Sequence, residues 1–298
     1  MKLFITGLLS GIALISLLAL VQTEETEVAA EVESRVEQKI YNPPLPPAIT
    51  FAGETVPLED PEVRERFERE MMVNTYWHSS SLQLFKLSNR YFPTIEKILA
   101  EEGIPDDFKY LAVAESGLRN VTSPANAKGM WQIMKGTARE NGLEVSGEVD
   151  ERYHMEKATR AASGYLRKAR EKFGSWSMAA AAYNMGIPGL QRQANNQKTE
   201  EYYNLFLNQE TSRYVFRILA MKQLFANPEQ YGFYLEEKDL YNPMEYKVVE
   251  VDSALNSLAD FAQSQGCNYK ELKILNPWLR QPYLKNTSAK TYQIRIPI

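Results

Sequence analysis

The segment from Asp106 to Gly117 places an ionisable carboxylate at the end of an apolar helix face. In a helix, four of its residues share one face at positions i, i+3, i+4 and i+7: Phe108, Leu111, Ala112 and Glu115. That face should pack against the core, and burial disfavours the charged form of a carboxylate. We therefore expect Glu115 to have a raised pKa and to hold its proton near neutral pH, as a general acid must.

Spacing alone leaves a second interpretation of this glutamate open. A single Glu on an apolar face also occurs as a structural residue that pairs with arginine or accepts backbone hydrogen bonds. Two large aromatic residues further along the chain, Trp131 and Tyr183, are equally consistent with core packing. The residues around Glu115 must therefore decide between a catalytic and a structural role.

Composition excludes several classes of partner and site. Lys and Arg number 34 against 38 Asp and Glu, and the net charge of −4 disfavours a nucleic-acid partner, which needs a basic face. The single cysteine, Cys267, excludes an intramolecular disulfide and a cysteine-rich zinc site. The two histidines, His78 and His154, are far apart in the sequence. We therefore expect neither a metal nor another cofactor.

The first 22 residues have the pattern of an export segment. Lys2 precedes an almost uncharged apolar run over residues 3–21, and glutamates follow it. This pattern is typical of a signal peptide, and the run is also about long enough to span a bilayer. We predict export to the periplasm or cell envelope, with residues 1–22 forming a cleaved signal peptide or a retained anchor. We expect membrane contact only through this segment.

Three further regions follow along the chain. Residues 23–60 are acidic and then proline-rich, which is typical of a linker. Residues 61–241 carry successive helical patterns and few strand patterns, and residues 242–298 have the order strand, helix, helix, strand. The predicted fold class is α+β, mainly α, with one large helical domain and one small βααβ module.

Helix-breaking residues set several predicted boundaries. The serines of 79–81 should end the first helix of the domain, and residues 82–87 and 91–102 should then form two separate helical pieces. Gly186, Pro188 and Gly189 should end the alanine-rich helix that contains SMAAAAYN. A short helix is predicted over residues 202–207.

Aromatic and amide side chains follow Glu115 in three short motifs. They are, in chain order, Trp131 with Gln132, Tyr183 with Asn184, and Glu210 with Tyr214. Aromatic rings stack on sugar faces, and amides bind hydroxyl and acetamido groups. The combination with one acid favours a carbohydrate site.

The order AESGL, GMWQ, AAYNMG and ETSRYVFRILA resembles the lytic murein transglycosylases, in particular their membrane-bound type D branch. The resemblance covers about residues 61–226 and implies a lysozyme-like catalytic domain that acts on peptidoglycan. It implies that Glu115 is the catalytic acid and base. It also implies that Tyr214 positions this acid. It places a larger set of residues in the substrate-binding cleft: Ser116, Gly129, Met130, Gln132, Tyr183, Asn184, Glu210 and Tyr214.

The same resemblance gives the charged run at residues 150–152 a structural role in ordering a loop. His154 and Met155 stand where the family pattern has Asp and Pro. This departure concerns the shape of the loop rather than the chemistry.

The implied mechanism uses one carboxylate. A retaining glycosidase needs a second carboxylate about 5 Å from the first, and none stands out in the motifs around Glu115. In the family, one Glu cleaves the bond between N-acetylmuramic acid and N-acetylglucosamine without water and leaves a 1,6-anhydro end. The expected partner is the glycan strand of peptidoglycan, and the sequence identifies no protein partner. A lysozyme-type muramidase and a non-catalytic wall-binding protein remain the alternatives.

Residues 242–298 resemble a LysM domain, a βααβ unit that binds glycans containing N-acetylglucosamine. The similarity lies in YKVVEVDSALNSLA and in the later ILNPWL and QIRIP. Val251 stands where the LysM pattern has a glycine, and a β-branched residue lacks the backbone freedom of glycine. We expect the fold, while glycan binding by this module remains open.

Overall fold

Ten α-helices and two short antiparallel strand pairs build residues 40–298, the part of the chain that the computed structural model describes. The predicted export segment and the first part of the predicted linker lie outside these residues. Residues 43–298 form one compact unit. In the described part of the chain, no helix combines the length and apolarity needed to cross a bilayer.

The helices are, in chain order, α1 (Pro61–Tyr76), α2 (His78–Glu101), α3 (Lys109–Ser116), α4 (Lys135–Glu140), α5 (Met155–Phe173), α6 (Trp176–Met185), α7 (Ile187–Gln197), α8 (Gln209–Ala226), α9 (Leu258–Ser264) and α10 (Tyr269–Leu275). The strand pairs are β1 (Thr50–Phe51) with β2 (Glu54–Thr55), and β3 (Tyr246–Val251) with β4 (Tyr292–Pro297). The predicted class, mainly helical with a small βααβ module, is confirmed.

Helix α2 continues through residues that the sequence patterns assigned to breaks. The chain turns at Trp77 instead, and the hydroxyl of Ser81 donates a hydrogen bond of 2.6 Å back to the carbonyl of Asn74. Pro93 lies inside the helix, where proline costs about 3 kcal/mol. The buried stripe continues past it through Ile95 and Leu99. Burying each such side chain contributes about 1.5–3 kcal/mol, which offsets the proline.

Two other predicted boundaries also differ from the structure. Gly186 ends α6 as predicted, but Pro188 occupies the first turn of α7, a helix that the sequence patterns missed. Proline is well suited to this position because its missing N–H has no partner in the first turn of a helix. The predicted helix over residues 202–207 is only a short 3₁₀ turn, Tyr202–Asn204.

Residues 43–60, which composition assigns to the linker, pack against the helical domain. Phe51 is fully buried, and its ring centroid lies 5.2 Å from that of Phe108. The carboxylate of Glu54 accepts hydrogen bonds from the backbone N–H groups of Trp176 and Ser177, at 2.5 and 2.9 Å. A carboxylate at this position stabilises the N-terminus of α6. The folded unit therefore includes the second half of the predicted linker.

Helix α6 is the buried centre of the domain. Its four alanines, 179–182, are completely buried, and their small side chains let α5 and α8 pack closely on it. The helix ends with Tyr183 and Asn184, which are only partly buried. The buried alanines therefore anchor the helix in the core, and the two polar side chains near its end lie at the surface of a cleft.

The C-terminal module shares its hydrophobic core with a loop of the helical domain. Val149 and Tyr153 pack into the cluster that contains Trp278 and Leu279. Backbone hydrogen bonds join the same segments, from the N–H of Asp150 to the carbonyl of Trp278 at 2.9 Å and from Arg280 to Glu148 at 2.7 Å. The module is therefore anchored to the loop that contains residues 148–153.

We predict that Phe51→Ala lowers the free energy of unfolding by about 3–5 kcal/mol, because it removes a fully buried ring from a packed core. The matched control is Phe206→Ala, whose ring is 85% exposed and should matter by less than about 0.5 kcal/mol. Denaturant unfolding of the two variants measures the difference. Equal stabilities would mean that residues 43–60 are not part of the cooperative unit.

Candidate active site

Glu115 lies in the last turn of α3, where the predicted apolar face meets solvent. Phe108, Leu111 and Ala112 are fully buried, whereas Glu115 remains partly exposed. Gly117 ends the helix with a φ of +61°, a left-handed conformation that glycine adopts without strain. The predicted face is confirmed, and the carboxyl group stands at the border between core and cleft.

Burial raises the pKa of Glu115 to about 7. The hydrogen bond from Tyr214 and the positive charge of Arg217 act in the opposite direction, and the negative charge of Glu210 adds to the rise. The carboxyl group is therefore mostly protonated at pH 6 and about half protonated at pH 7. Tyr214 and Arg217 favour the carboxylate once it forms.

Tyr214 is the closest partner of Glu115. Its side chain is 1% exposed, and its hydroxyl donates a hydrogen bond to Oε1 of Glu115. Burial raises the pKa of Tyr214 well above its usual value, so the phenol keeps its proton and remains a donor. Because α8 packs against α3, the side chain reaches across from a segment about 100 residues further along the chain.

The GMWQ loop is held against Glu115 by its serine neighbour. The hydroxyl of Ser116 donates to the carbonyl of Met130 at 2.7 Å. Gly129 has a φ of +82°, and a Cβ built on it would lie 1.9 Å from the carbonyl oxygen of Arg152. Only glycine fits this approach. The loop therefore lies between α3 and the charged run at residues 150–152.

Within this loop the side chains have different environments. Trp131 is fully buried and donates to the hydroxyl of Thr159 at 2.8 Å, so the core-packing interpretation of this ring is correct. Met130 is also buried, and it reaches Ser116 only through its carbonyl. The amide nitrogen of Gln132 donates to the carbonyls of Gly129 and Val121, at 2.7 and 3.1 Å. The protein therefore uses both N–H groups of this amide, and Oε1 is the atom left to act as an acceptor.

The remaining predicted residues form a connected group beside the acid. The hydroxyl of Tyr183 donates to the carbonyl of Trp131 at 2.7 Å. The amide of Asn184 donates to Oε1 of Glu210 at 3.2 Å and accepts from the hydroxyl of Thr211 at 2.7 Å. Helix α6, helix α8 and the GMWQ loop thus meet at one place.

Two cavities open next to this group. Gln132, Tyr183 and Asn184 line one of about 240 Å³. Glu115 and Ser116 line the other, of about 430 Å³. Several residues that the sequence patterns did not single out share this second cavity: Trp77, Arg119, Val121, Arg213 and Arg217. The spacing of Arg213 and Arg217 at i, i+4 is visible in the sequence, but only packing brings them to Glu115.

Two known families match separate parts of this chain. Residues 93–206 match the model described as the transglycosylase SLT domain. Residues 247–298 match the soluble lytic transglycosylase C-terminal LysM-like domain. The first range includes the acid, the GMWQ loop and the end of α6. The chain carries a transglycosylase SLT domain.

Curated relatives agree with this assignment. Over 235 residues, the chain is 27% identical to the membrane-bound lytic murein transglycosylase D of Escherichia coli strain K12. The protein of the same name from Escherichia coli O6:H1 strain CFT073 has the same identity. In both cases the aligned region covers 76% of this chain and 50% of the relative. The chain thus spans about half the length of the relatives it matches.

The charged run at residues 150–152, within the SLT domain, has the structural role expected of it. Arg152 donates two hydrogen bonds of 2.8 Å to the carboxylate of Asp150, and both side chains are buried. The same guanidinium donates to the carbonyls of Asn126 and Ile133, on either side of the GMWQ motif. The ion pair therefore supports the loop that Gly129 begins.

We predict that Glu115→Gln stabilises the SLT domain by roughly 3 kcal/mol at pH 8 and by much less at pH 4.5. The folded pKa of about 7 lies above the unfolded value near 4.5, so wild type loses stability as pH rises through this window. Glutamine cannot ionise and avoids this loss.

Thermal unfolding across pH measures the difference between the two proteins. The matched control is Glu65→Gln on the exposed face of α1, which should give no such trend. A pH-independent effect at residue 115 would contradict the raised pKa.

Proposed function

We propose that this protein is an exported peptidoglycan lytic transglycosylase. It cleaves the β-1,4 bond between N-acetylmuramic acid and N-acetylglucosamine without water and leaves 1,6-anhydro ends, in cell-wall turnover or remodelling. The observation that carries the proposal is the pairing of Glu115 with Tyr214 beside an open cleft of an SLT domain.

Glu115 serves as the acid in the first half of the reaction. Its raised pKa keeps it protonated, so it can give its proton to the glycosidic oxygen as the C1–O4 bond breaks. The hydrogen bond from Tyr214 and the charge of Arg217 then stabilise the carboxylate. These contacts strengthen as charge develops, which is what lowers an activation barrier.

The same carboxylate serves as the base in the second half. It removes the proton of the C6 hydroxyl, and O6 forms the new bond to C1 of the same sugar. The proton has moved from O6 to O4 through Glu115, so no water is consumed. The two other carboxylates nearby have partners of their own, since Glu210 binds Asn184 and Glu70 binds Arg213. This supports a mechanism with one acid.

The cleft offers the groups that a glycan strand requires. Oε1 of Gln132 and the side chain of Asn184 provide polar contacts beside the acid, and Trp77 presents a ring that is 62% exposed. We propose that this ring stacks on a sugar face.

Export to the cell envelope is part of the proposal. The relatives are named membrane-bound murein enzymes, and this chain begins with the apolar run of residues 3–21. Either a retained anchor or a cleaved signal peptide would bring the SLT domain to the wall.

Digestion of purified sacculi tests the function. We expect wild type to release products with 1,6-anhydro ends, which mass spectrometry recognises because they are lighter by one water than reducing-end products. Glu115→Gln should lower the rate by at least about 10³-fold, since it removes both acid and base. Reducing-end products would instead identify a muramidase. Binding to sacculi without turnover would identify a wall-binding protein.

The pH profile of Tyr214→Phe tests the pairing. Removing the hydroxyl removes a contact that lowers the pKa of Glu115, so the pKa should rise further. We expect the basic limb of kcat/KM to move to higher pH and the maximal rate to fall, because the carboxylate loses its donor. The control is Tyr234→Phe, at a residue that is 74% exposed. An unmoved basic limb would mean that another group controls it.

A further inference from the structure

The cavity beside Glu115 contains three arginines, and we call this part of the cleft the arginine arm: Arg119, Arg213 and Arg217. We propose that the arginine arm binds free carboxylates of the stem peptide attached to N-acetylmuramic acid. This inference depends on the proposed function because it concerns the same substrate. It adds a peptide subsite to a glycan cleft.

Within the described residues, two of these guanidiniums form no hydrogen bond or ion pair. Nε of Arg213 donates to the buried carboxylate of Glu70 at 2.6 Å. Arg119 and Arg217, by contrast, have no hydrogen bond or ion pair from their side chains within residues 40–298. A guanidinium has a planar set of donors that matches a carboxylate. Free guanidiniums in a cavity are therefore suited to an anionic ligand.

The guanidiniums of the arginine arm lie close to the carboxyl group of Glu115. Arg213 and Arg217 are one turn apart on α8 and share a face of that helix. The guanidinium of Arg119 lies over the end of α3, where a Cβ built on Gly117 would be 3.7 Å from its Nη2 atom. The charge of Arg217 is close enough to lower the pKa of Glu115.

The overall charge of the arm is positive. The ionisable groups that line it are the three arginines, Glu70 and Glu115. Glu115 is largely neutral below pH 7 because of its burial, which leaves the carboxylate of Glu70 against three guanidiniums. The repeating sugars are uncharged apart from the substituent on N-acetylmuramic acid. That substituent is a peptide with free carboxylates, so it is the part of the substrate with matching charge.

Covalent connectivity places the peptide near the arm. The stem begins at the lactyl ether on C3 of the muramic ring, and C1 of that ring is the atom that reacts at Glu115. A peptide leaving C3 therefore starts within a few ångströms of the acid. The exposed side chain of Val121 lines the same cavity and offers an apolar contact for the peptide.

Two substrates separate peptide recognition from glycan recognition. Intact glycan strands are compared with strands whose stems have been removed by an N-acetylmuramoyl-L-alanine amidase and whose newly exposed lactyl carboxylates have then been converted to amides, so that the stripped strands carry no carboxylate. Measurement at pH 5 keeps Glu115 protonated in every variant. We expect wild type to have a higher kcat/KM on stem-bearing strands. Arg119→Gln and Arg217→Gln should each lower the ratio of the two kcat/KM values about tenfold, the usual effect of losing one charged hydrogen bond.

Arg192→Gln is the matched control. Arg192 is an exposed residue of α7 that lines neither cavity of the site, so both rates should stay at the wild-type level. Arg217→Lys keeps the charge and should restore part of the preference. Equal wild-type rates on the two substrates, or a ratio that neither glutamine variant changes, would overturn the inference.

Failure of the inference can be distinguished from failure of the proposed function. Anhydro products from both substrates at equal rates would overturn only the peptide subsite. If wild type cleaves neither substrate, the proposed function fails. The inference is then tested by binding alone, by comparing the affinities of the Glu115→Gln variant for stem-bearing and for stripped strands. Tighter binding of stem-bearing strands that Arg119→Gln abolishes would support it, and equal binding would overturn it.

Discussion

The hydrogen bond between Tyr214 and Glu115 is the interaction on which the site depends. Burial raises the pKa of the carboxyl group to about 7, and this one contact, with the charge of Arg217, limits the rise. Without it, the carboxylate formed by proton transfer would be stabilised far less in a largely desolvated position. The packing of α8 on α3 brings these two groups together, so the fold sets the balance between acid and base.

A series of contacts supports this pair from the opposite side. Ser116 binds the carbonyl of Met130, Gly129 lies against the backbone of Arg152, and Asp150 bonds to Trp278 of the C-terminal module. The module is therefore packed on the loop that supports the GMWQ motif. Val251, which replaces the glycine of the LysM pattern, is buried at the end of β3. Its place in the core gives the residue a structural role.

Periodicity predicted some of these features better than others. The helix face of α3 and the last strand of the βααβ module follow from spacing, because one side of each element is buried. Spacing did not predict that α2 is continuous or that α7 begins at Ile187. Proline can end a helix or occupy its first turn, and surrounding packing decides whether a helix continues past it. Pro93 lies inside α2, and Pro188 lies in the first turn of α7. The proline-rich composition of residues 43–60 predicts a linker. The few apolar residues of this segment that enter the core, such as Phe51, are too sparse to form a periodic pattern.

The sequence by itself determined the candidate acid, the order of the motifs and the helical class. Local spacing carries that information, since a carboxylate on an apolar face and a glycine after a helix have meaning within a few residues. The family resemblance implied that Tyr214 positions this acid, but only the tertiary structure gave the hydrogen bond between them and placed Arg119 and Arg217 in the same cavity. These contacts join residues from distant parts of the chain, and packing, which local sequence does not encode, sets their distances and their desolvation.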